Sequence, residues 1–234
     1  MGEAVEFPSN GDTTSGYLAL PRSGGGPGVI VIQEWWGLVP HIRELCDRFA
    51  SEGFVALAPD LFHGKTTTEP DDAQKLMMEM QLDTAARDMV GAGRWLAAQE
   101  RTAGDRVAIV GFCMGGALAL YAAAQSDVFG AVVAFYPAFG RTDAARPDYS
   151  AIRGAVLAHF AEDDDYYDHD KVEQFAAAVR GGGSDIEVHW YPESGHAFFN
   201  DHRPEVHKPH QSRVAWERTL SFLRKHLAAT PAPV

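Results

Sequence analysis

The chain has 234 residues, 46% of them hydrophobic and 22% charged, the composition of an ordinary soluble globular protein with enough apolar side chain for a substantial core. Its formal charge of −12 repels phosphate backbones and anionic bilayers, so nucleic acid and membranes are not expected partners. No basic start followed by a long apolar run, no stretch near the roughly 20 apolar residues of a membrane span, and too few cysteines for a disulfide framework together lead us to expect one domain over residues 1–234 in the cytoplasm.

In chain order, short runs rich in Val, Ile and Ala alternate with amphipathic stretches, the pattern of a mostly parallel sheet flanked by helices on both faces. Strands are predicted at 16–20, 28–33, 54–58, 106–111, 131–136, 155–160 and 186–191. Helices are predicted at 41–51, 82–98, 114–124, 171–179 and 206–227, where apolar residues recur at three- and four-residue intervals. Cys46 falls on the apolar stripe of the first helix and reads as core. The irregular segment 62–72 is a candidate lid, and Ala229 to Val234 reads as a frayed tail.

The most informative stretch runs from Val107 to Leu118: an apolar strand, then Gly111, Phe112, Cys113, Met114, Gly115, then a helix of small residues. This is the layout of a nucleophile elbow with cysteine where serine is usual. The two glycines permit a sharp turn that lifts the thiol off the strand end. Amides at the start of the next helix are expected to lower the thiol pKa and to bind a developing oxyanion. A dinucleotide site would instead want an acidic residue closing the next strand, which here ends in Phe135, Tyr136 and Pro137. A phosphate-binding loop would want a lysine after the glycines, and none follows.

Such a cysteine needs a base and a group to orient it, which in this architecture follow in the order acid, then histidine. Asp163, Asp164 and Asp165 follow the predicted strand 155–160, and His196 follows the strand 186–191 after Gly195. Both loops leave the carboxyl edge of the sheet, where open α/β sheets gather their sites. One of the three carboxylates is enough to face the histidine, while Asp168 reads as the N-cap of the next helix. His202, His207 and His210 lack the companion carboxylates and spacing of a metal site, so no metal is expected.

With Gln33, Glu34, Trp35, Trp36 and Gly37 after the second core strand, the cysteine elbow, and the Asp164 and His196 loops, the chain resembles the dienelactone hydrolase family over nearly its whole length. The resemblance implies an α/β-hydrolase fold and a Cys113–His196–Asp164 triad. It implies an oxyanion hole from the backbone amides of Trp35 and Met114. It also implies that Glu34 keeps the resting thiol neutral and accepts its proton once substrate displaces it, which would protect the sulfur from oxidation. Asp164 is chosen over Asp163 and Asp165 by matching the family's strand-to-acid segment.

Family members that cleave dienelactone grip its carboxylate with arginines, one of them four residues after the catalytic histidine; here that position is Asn200. No arginine occurs from Val55 to Ala86, where the second would stand. A neutral amide cannot replace a bidentate guanidinium. Trp35, Trp36, Tyr136, Phe198 and Phe199 are expected to give an aromatic, largely apolar pocket. The resulting expectation is a monomeric thiol hydrolase of small esters or lactones, with homodimerisation left open, working through a thioacyl intermediate without cofactor or metal. The alternative is a protein of the same fold whose Cys113 senses electrophiles or oxidants without turnover.

Overall fold

In the computed structural model, which describes residues 2–9, 11–138 and 147–227, the chain forms one eight-stranded sheet. The strands are β1 (Glu3–Ser9), β2 (Asp12–Ala19), β3 (Gly26–Ile32), β4 (Val55–Pro59), β5 (Thr102–Phe112), β6 (Phe129–Phe135), β7 (Ala155–Asp163) and β8 (Ile186–Gly195). Their spatial order is β1-β2-β4-β3-β5-β6-β7-β8, antiparallel from β1 to β4 and parallel from β4 to β8. Among the described residues six α-helices accompany them: α1 (Pro40–Ser51), α2 (Pro70–Glu79), α3 (Leu82–Ala97), α4 (Met114–Ala123), α5 (His169–Gly181) and, after the last strand, α6 (Pro209–His226).

The central strands are parallel because they read as unbroken apolar runs rather than as alternating ones. Val29–Ile32, Val55–Ala58, Val107–Val110 and Ala131–Phe135 are all buried, which requires helices over both faces. On one face α1 meets α6 through Phe49 and Trp216, whose rings are 4.6 Å apart, and on the other α3 packs against α4. Helix α4 is apolar on nearly every side because it lies inside this packing, with Leu118, Ala119, Leu120 and Ala122 at or below 5% exposure. Cys46 is buried on α1 as expected, and Asp168 caps α5 by accepting the Lys171 N–H at 2.8 Å.

Two elements differ from the sequence expectation. Strand β1 was not predicted, because its charged residues and Pro8 break the alternation and leave Phe7 and Ser9 as its buried residues. As an edge strand it needs neither a continuous apolar face nor every N–H. Helix α2 lies in and beyond the candidate lid, and it was missed because it buries Ala73 alone and so carries no apolar stripe. The first half of that segment is anchored: Asp60 accepts N–H groups of Phe62 and Gly64 at 3.1 and 2.6 Å, and Thr67 N–H donates to the Trp36 carbonyl at 3.1 Å. The predicted tail at 229–234 lies outside the described residues. Among the described residues no helix is long and apolar enough to cross a membrane.

A buried histidine gives the fold a pH limit. His159 on β7 is inaccessible to solvent, with Nδ1 2.8 Å from the Tyr191 hydroxyl and Nε2 3.0 Å from the Thr219 hydroxyl. Burial, reinforced by His189 and Arg218, holds its pKa well below 6.5. The unfolded chain therefore takes up a proton below about pH 6.5 that the folded chain refuses. Stability is full above that pH and falls as acid is added. Between pH 6.5 and 5, urea unfolding should show a loss of about 1–2 kcal/mol from this group. His159→Gln should flatten that slope; an unchanged slope would assign the acid sensitivity elsewhere.

Candidate active site

The site is built where the parallel strands end. In register, Ile32 of β3 pairs with Gly111 of β5, Phe112 with Phe135 of β6, and Asp163 of β7 with Gly195 of β8. The residues just beyond these pairs, Gln33 and Glu34, Cys113, Tyr136, Asp164 and His196, are therefore gathered along one edge. A register shift between Ala161 and Asp163 brings the Asp164 loop level with His196.

Cys113 occupies the turn between β5 and α4 with φ of 56° and ψ of −120°, a conformation that side-chain-bearing residues avoid. Such strain costs of order 1–3 kcal/mol and persists only where the surroundings impose it. They do so through backbone bonds: Cys113 N–H to the Phe135 carbonyl at 3.0 Å, and Ala138 N–H to the Cys113 carbonyl at 3.1 Å. The flanking glycines serve close approach rather than the turn, since the positive φ belongs to the cysteine itself. A Cβ on Gly111 would strike the Gly115 carbonyl, and one on Gly115 the carbonyls of Ile32 and Gln33.

His196 Nε2 lies 3.0 Å from Cys113 Sγ, and its Nδ1 lies 2.7 Å from Asp164 Oδ2. The Asp164 carboxylate is shielded from solvent and also accepts the Tyr166 N–H at 3.1 Å, whereas Asp163 and Asp165 are exposed. The structure thus brings together the three residues that the sequence selected. The opposite wall is Glu34, buried at 2% exposure, with Oε2 accepting Asn200 Nδ2–H at 2.7 Å. Burial pushes the Glu34 carboxyl up, against the opposing pull of Asn200, His196 and Arg203.

The thiol departs from the expectation that helix amides would lower its pKa. Burial first, and then the charge of Glu34, push Cys113 well above an ordinary thiol; the Met114 N–H pulls the other way and is outweighed. Cys113 Sγ faces His196 Nε2 at 3.0 Å, while Glu34 is engaged by Asn200.

The expected pocket residues divide. Trp35 and Trp36 are partly exposed, edge to face at 4.9 Å, on the loop that follows Glu34. Tyr136 is buried, its ring 5.2 Å from that of His196 and its hydroxyl without a hydrogen-bond partner among the described residues. Phe198 and Phe199 are core rather than pocket wall: Phe199 packs against Phe112 and Phe135 at 5.6 and 4.8 Å, and Phe198 against Tyr191 at 4.9 Å. Their place after His196 gave no sign of direction, because the turn there sends them inward.

Sequence reasoning missed three site residues. Tyr166, 45% exposed, holds its ring 4.7 Å from His196; the aromatic residue two positions after Asp164 was the available signal. Asn200 was read as a missing arginine, yet it is the partner of Glu34. Arg203, in the same turn through its N–H to the Asn200 carbonyl at 3.1 Å, lies near enough to draw down the pKa of both Cys113 and Glu34.

A strained turn between strand and helix, presenting a nucleophile type to a histidine and a carboxylate on later strands of a mostly parallel sheet, defines an α/β-hydrolase. Comparison with known proteins narrows the class: the dienelactone hydrolase family matches residues 14–227, and the chain belongs to that family. It is 39% identical to "Protein usf" of Aquifex pyrophilus, over 97% of this chain and 100% of that one. It is 36% identical to the "Putative carboxymethylenebutenolidase" of Aquifex aeolicus (strain VF5), again over 97% and 100%. A crystal structure described as a "Putative Dienelactone Hydrolase" from Klebsiella pneumoniae subsp. pneumoniae MGH 78578 superposes with a TM-score of 0.84 at 29% identity, covering 96% of this chain and 99% of that one. The chain is therefore a hydrolase of ester or lactone bonds in small molecules.

Proposed function

We propose that the chain hydrolyses its ester or lactone with Cys113 as nucleophile, His196 as base and Asp164 as the group that orients the base. The observation that carries this reading is the contact chain Cys113 Sγ to His196 Nε2 at 3.0 Å and His196 Nδ1 to Asp164 Oδ2 at 2.7 Å. Asp164 fixes the proton on Nδ1, leaving the Nε2 lone pair for the thiol. As the sulfur attacks the carbonyl carbon, its proton passes to Nε2 and the carbonyl π electrons move to oxygen. The Trp35 and Met114 amides stabilise that oxyanion, a contribution worth about a hundredfold to a thousandfold in rate. Collapse expels the alcohol oxygen, which takes the proton from Nε2, and leaves a thioester on Cys113. Water, deprotonated by His196, then releases the acid and restores the thiol.

Glu34 and burial hold the sulfur protonated until the base is used, which limits oxidation of an otherwise exposed thiolate. Trp35, Trp36 and Tyr166 supply the aromatic surface around the reacting carbonyl, and the buried Tyr136 backs the His196 ring from inside. With Asn200 turned to Glu34, no bidentate clamp for a substrate carboxylate stands at that position, which favours esters and lactones that do not depend on one. We read the chain as one domain acting as a monomer in the cytoplasm, where Cys46 and Cys113 persist as free thiols. A sensor without turnover would not require the histidine and carboxylate in contact with the sulfur.

The test is hydrolysis of p-nitrophenyl acetate and of dienelactone by wild type and Cys113→Ala. Turnover should vanish in the variant, and wild type should favour the neutral ester. Turnover that survives Cys113→Ala would place the nucleophile elsewhere.

A further inference from the structure

Next to the site, but outside it, the loop after Asn200 meets the first turn of α1. His41, Asp201 and His202 each offer a ligand atom there, and these atoms lie within 4.8 Å of one another. His41 Nδ1 is 3.1 Å from Asp201 Oδ1, and the His41 and His202 rings are 5.2 Å apart. Glu44, on the same face of α1 three residues after His41, reaches His202 Nε2 at 2.9 Å. We propose that these four side chains form a binding site for a divalent transition-metal ion of the zinc class, clamping the loop that carries Asn200 to helix α1.

The donor set fits that class. Two imidazoles with carboxylates suit zinc, cobalt or nickel, whereas calcium and magnesium take oxygen ligands alone. The anchor is already in place, because His41 is buried at 2% exposure with Nδ1 directed at Asp201 Oδ1, 3.1 Å away. The other ligands are adjustable: the side chains of Asp201, His202 and Glu44 are 45%, 41% and 59% exposed. Metal–ligand bonds of about 2.0–2.1 Å bring tetrahedral ligand atoms to about 3.4 Å of one another, so His41, Asp201 and His202, whose ligand atoms lie within 4.8 Å of one another, need to close by little more than about an ångström, with Glu44 brought in through its contact with His202. Arg48 Nη1, 3.7 Å from Asp201 Oδ2, faces the carboxylate oxygen away from the His41 contact.

The sequence reading set His202 beside His207 and His210 and expected no metal there; the partners proposed here lie on α1, a relation that spacing along the chain does not reveal. The consequence lies one residue away. Asn200 donates to Glu34, and Asn200 Oδ1 accepts the His202 N–H at 3.0 Å. Metal bound through Asp201 and His202 thus stiffens the turn that positions the Glu34 carboxylate.

The experiment is titration with Co2+, then Zn2+ competition, followed by visible absorption and thermal unfolding of the full chain. One equivalent of Co2+ should give tetrahedral d–d absorption with no thiolate charge-transfer band, and Zn2+ should displace it. At a hundredfold excess over Kd, Tm should rise by about 5–10 °C. His202→Ala and Asp201→Asn, at exposed positions the fold does not need, should each abolish both signals, while His207→Ala and His210→Ala should retain them. Absence of binding below millimolar metal, or binding that survives His202→Ala, would overturn the proposal. So would a charge-transfer band that disappears in Cys113→Ala, since the ion would then sit on the thiol and His196.

Discussion

Alanine at position 196 should lower kcat/KM for p-nitrophenyl acetate by about a hundredfold to ten-thousandfold, the range that a general base contributes. The size follows from the state of the thiol. Burial and the Glu34 charge hold Cys113 protonated far above neutral pH, so without a base 3.0 Å from the sulfur there is almost no nucleophile. Alkylation by iodoacetamide separates this from a folding defect. In His196→Ala the reaction of Cys113 should require pH above the ordinary thiol value of about 8.5, whereas in wild type it proceeds faster at neutral pH. Cys46, wholly buried on α1, should stay unmodified in both and so report an intact core. Turnover within tenfold of wild type, or an unchanged alkylation profile, would remove His196 from the proposed role.

The parts of this site that were legible in the sequence are those fixed by local chain chemistry. Cys113 announces itself because a glycine-flanked residue between an apolar strand and a small-residue helix has few other uses. His196 and the aspartate run stand at the ends of their strands, and parallel topology sends all such ends to one edge. What was not legible depends on side-chain direction and on electrostatic sums. Asn200 follows His196 by four residues, but its amide turns to Glu34, 166 residues away in the chain. Phe198 and Phe199 look like pocket residues by position and are core by orientation. The thiol pKa has opposing causes: helix amides are visible in sequence, whereas the depth of burial and the nearness of Glu34 are tertiary facts. The fold divides in the same way, since α2 and β1 lack the apolar periodicity that marks elements packed broadly on the core.

Replacing Asp164 by asparagine should lower kcat by about a thousandfold or more while leaving KM close to wild type, because the loss is one of tautomer rather than of shape. The carboxylate accepts from His196 Nδ1 at 2.7 Å through Oδ2 and from the Tyr166 N–H at 3.1 Å through Oδ1. An asparagine that keeps its oxygen on Tyr166 presents an N–H to the ring, so Nδ1 must become the acceptor and the ring proton moves to Nε2. That nitrogen then meets the sulfur as a donor and cannot take its proton. Asp163→Asn and Asp165→Asn give the matched comparison: both side chains are exposed, and each change should leave kcat within about twofold, as surface substitutions away from special contacts generally do. Measuring the three variants on one substrate tests the register of the acid as well as its role. A large loss in a neighbour, or near-normal turnover in Asp164→Asn, would show that the carboxylate touching His196 in this structure is not the one that orients it during turnover.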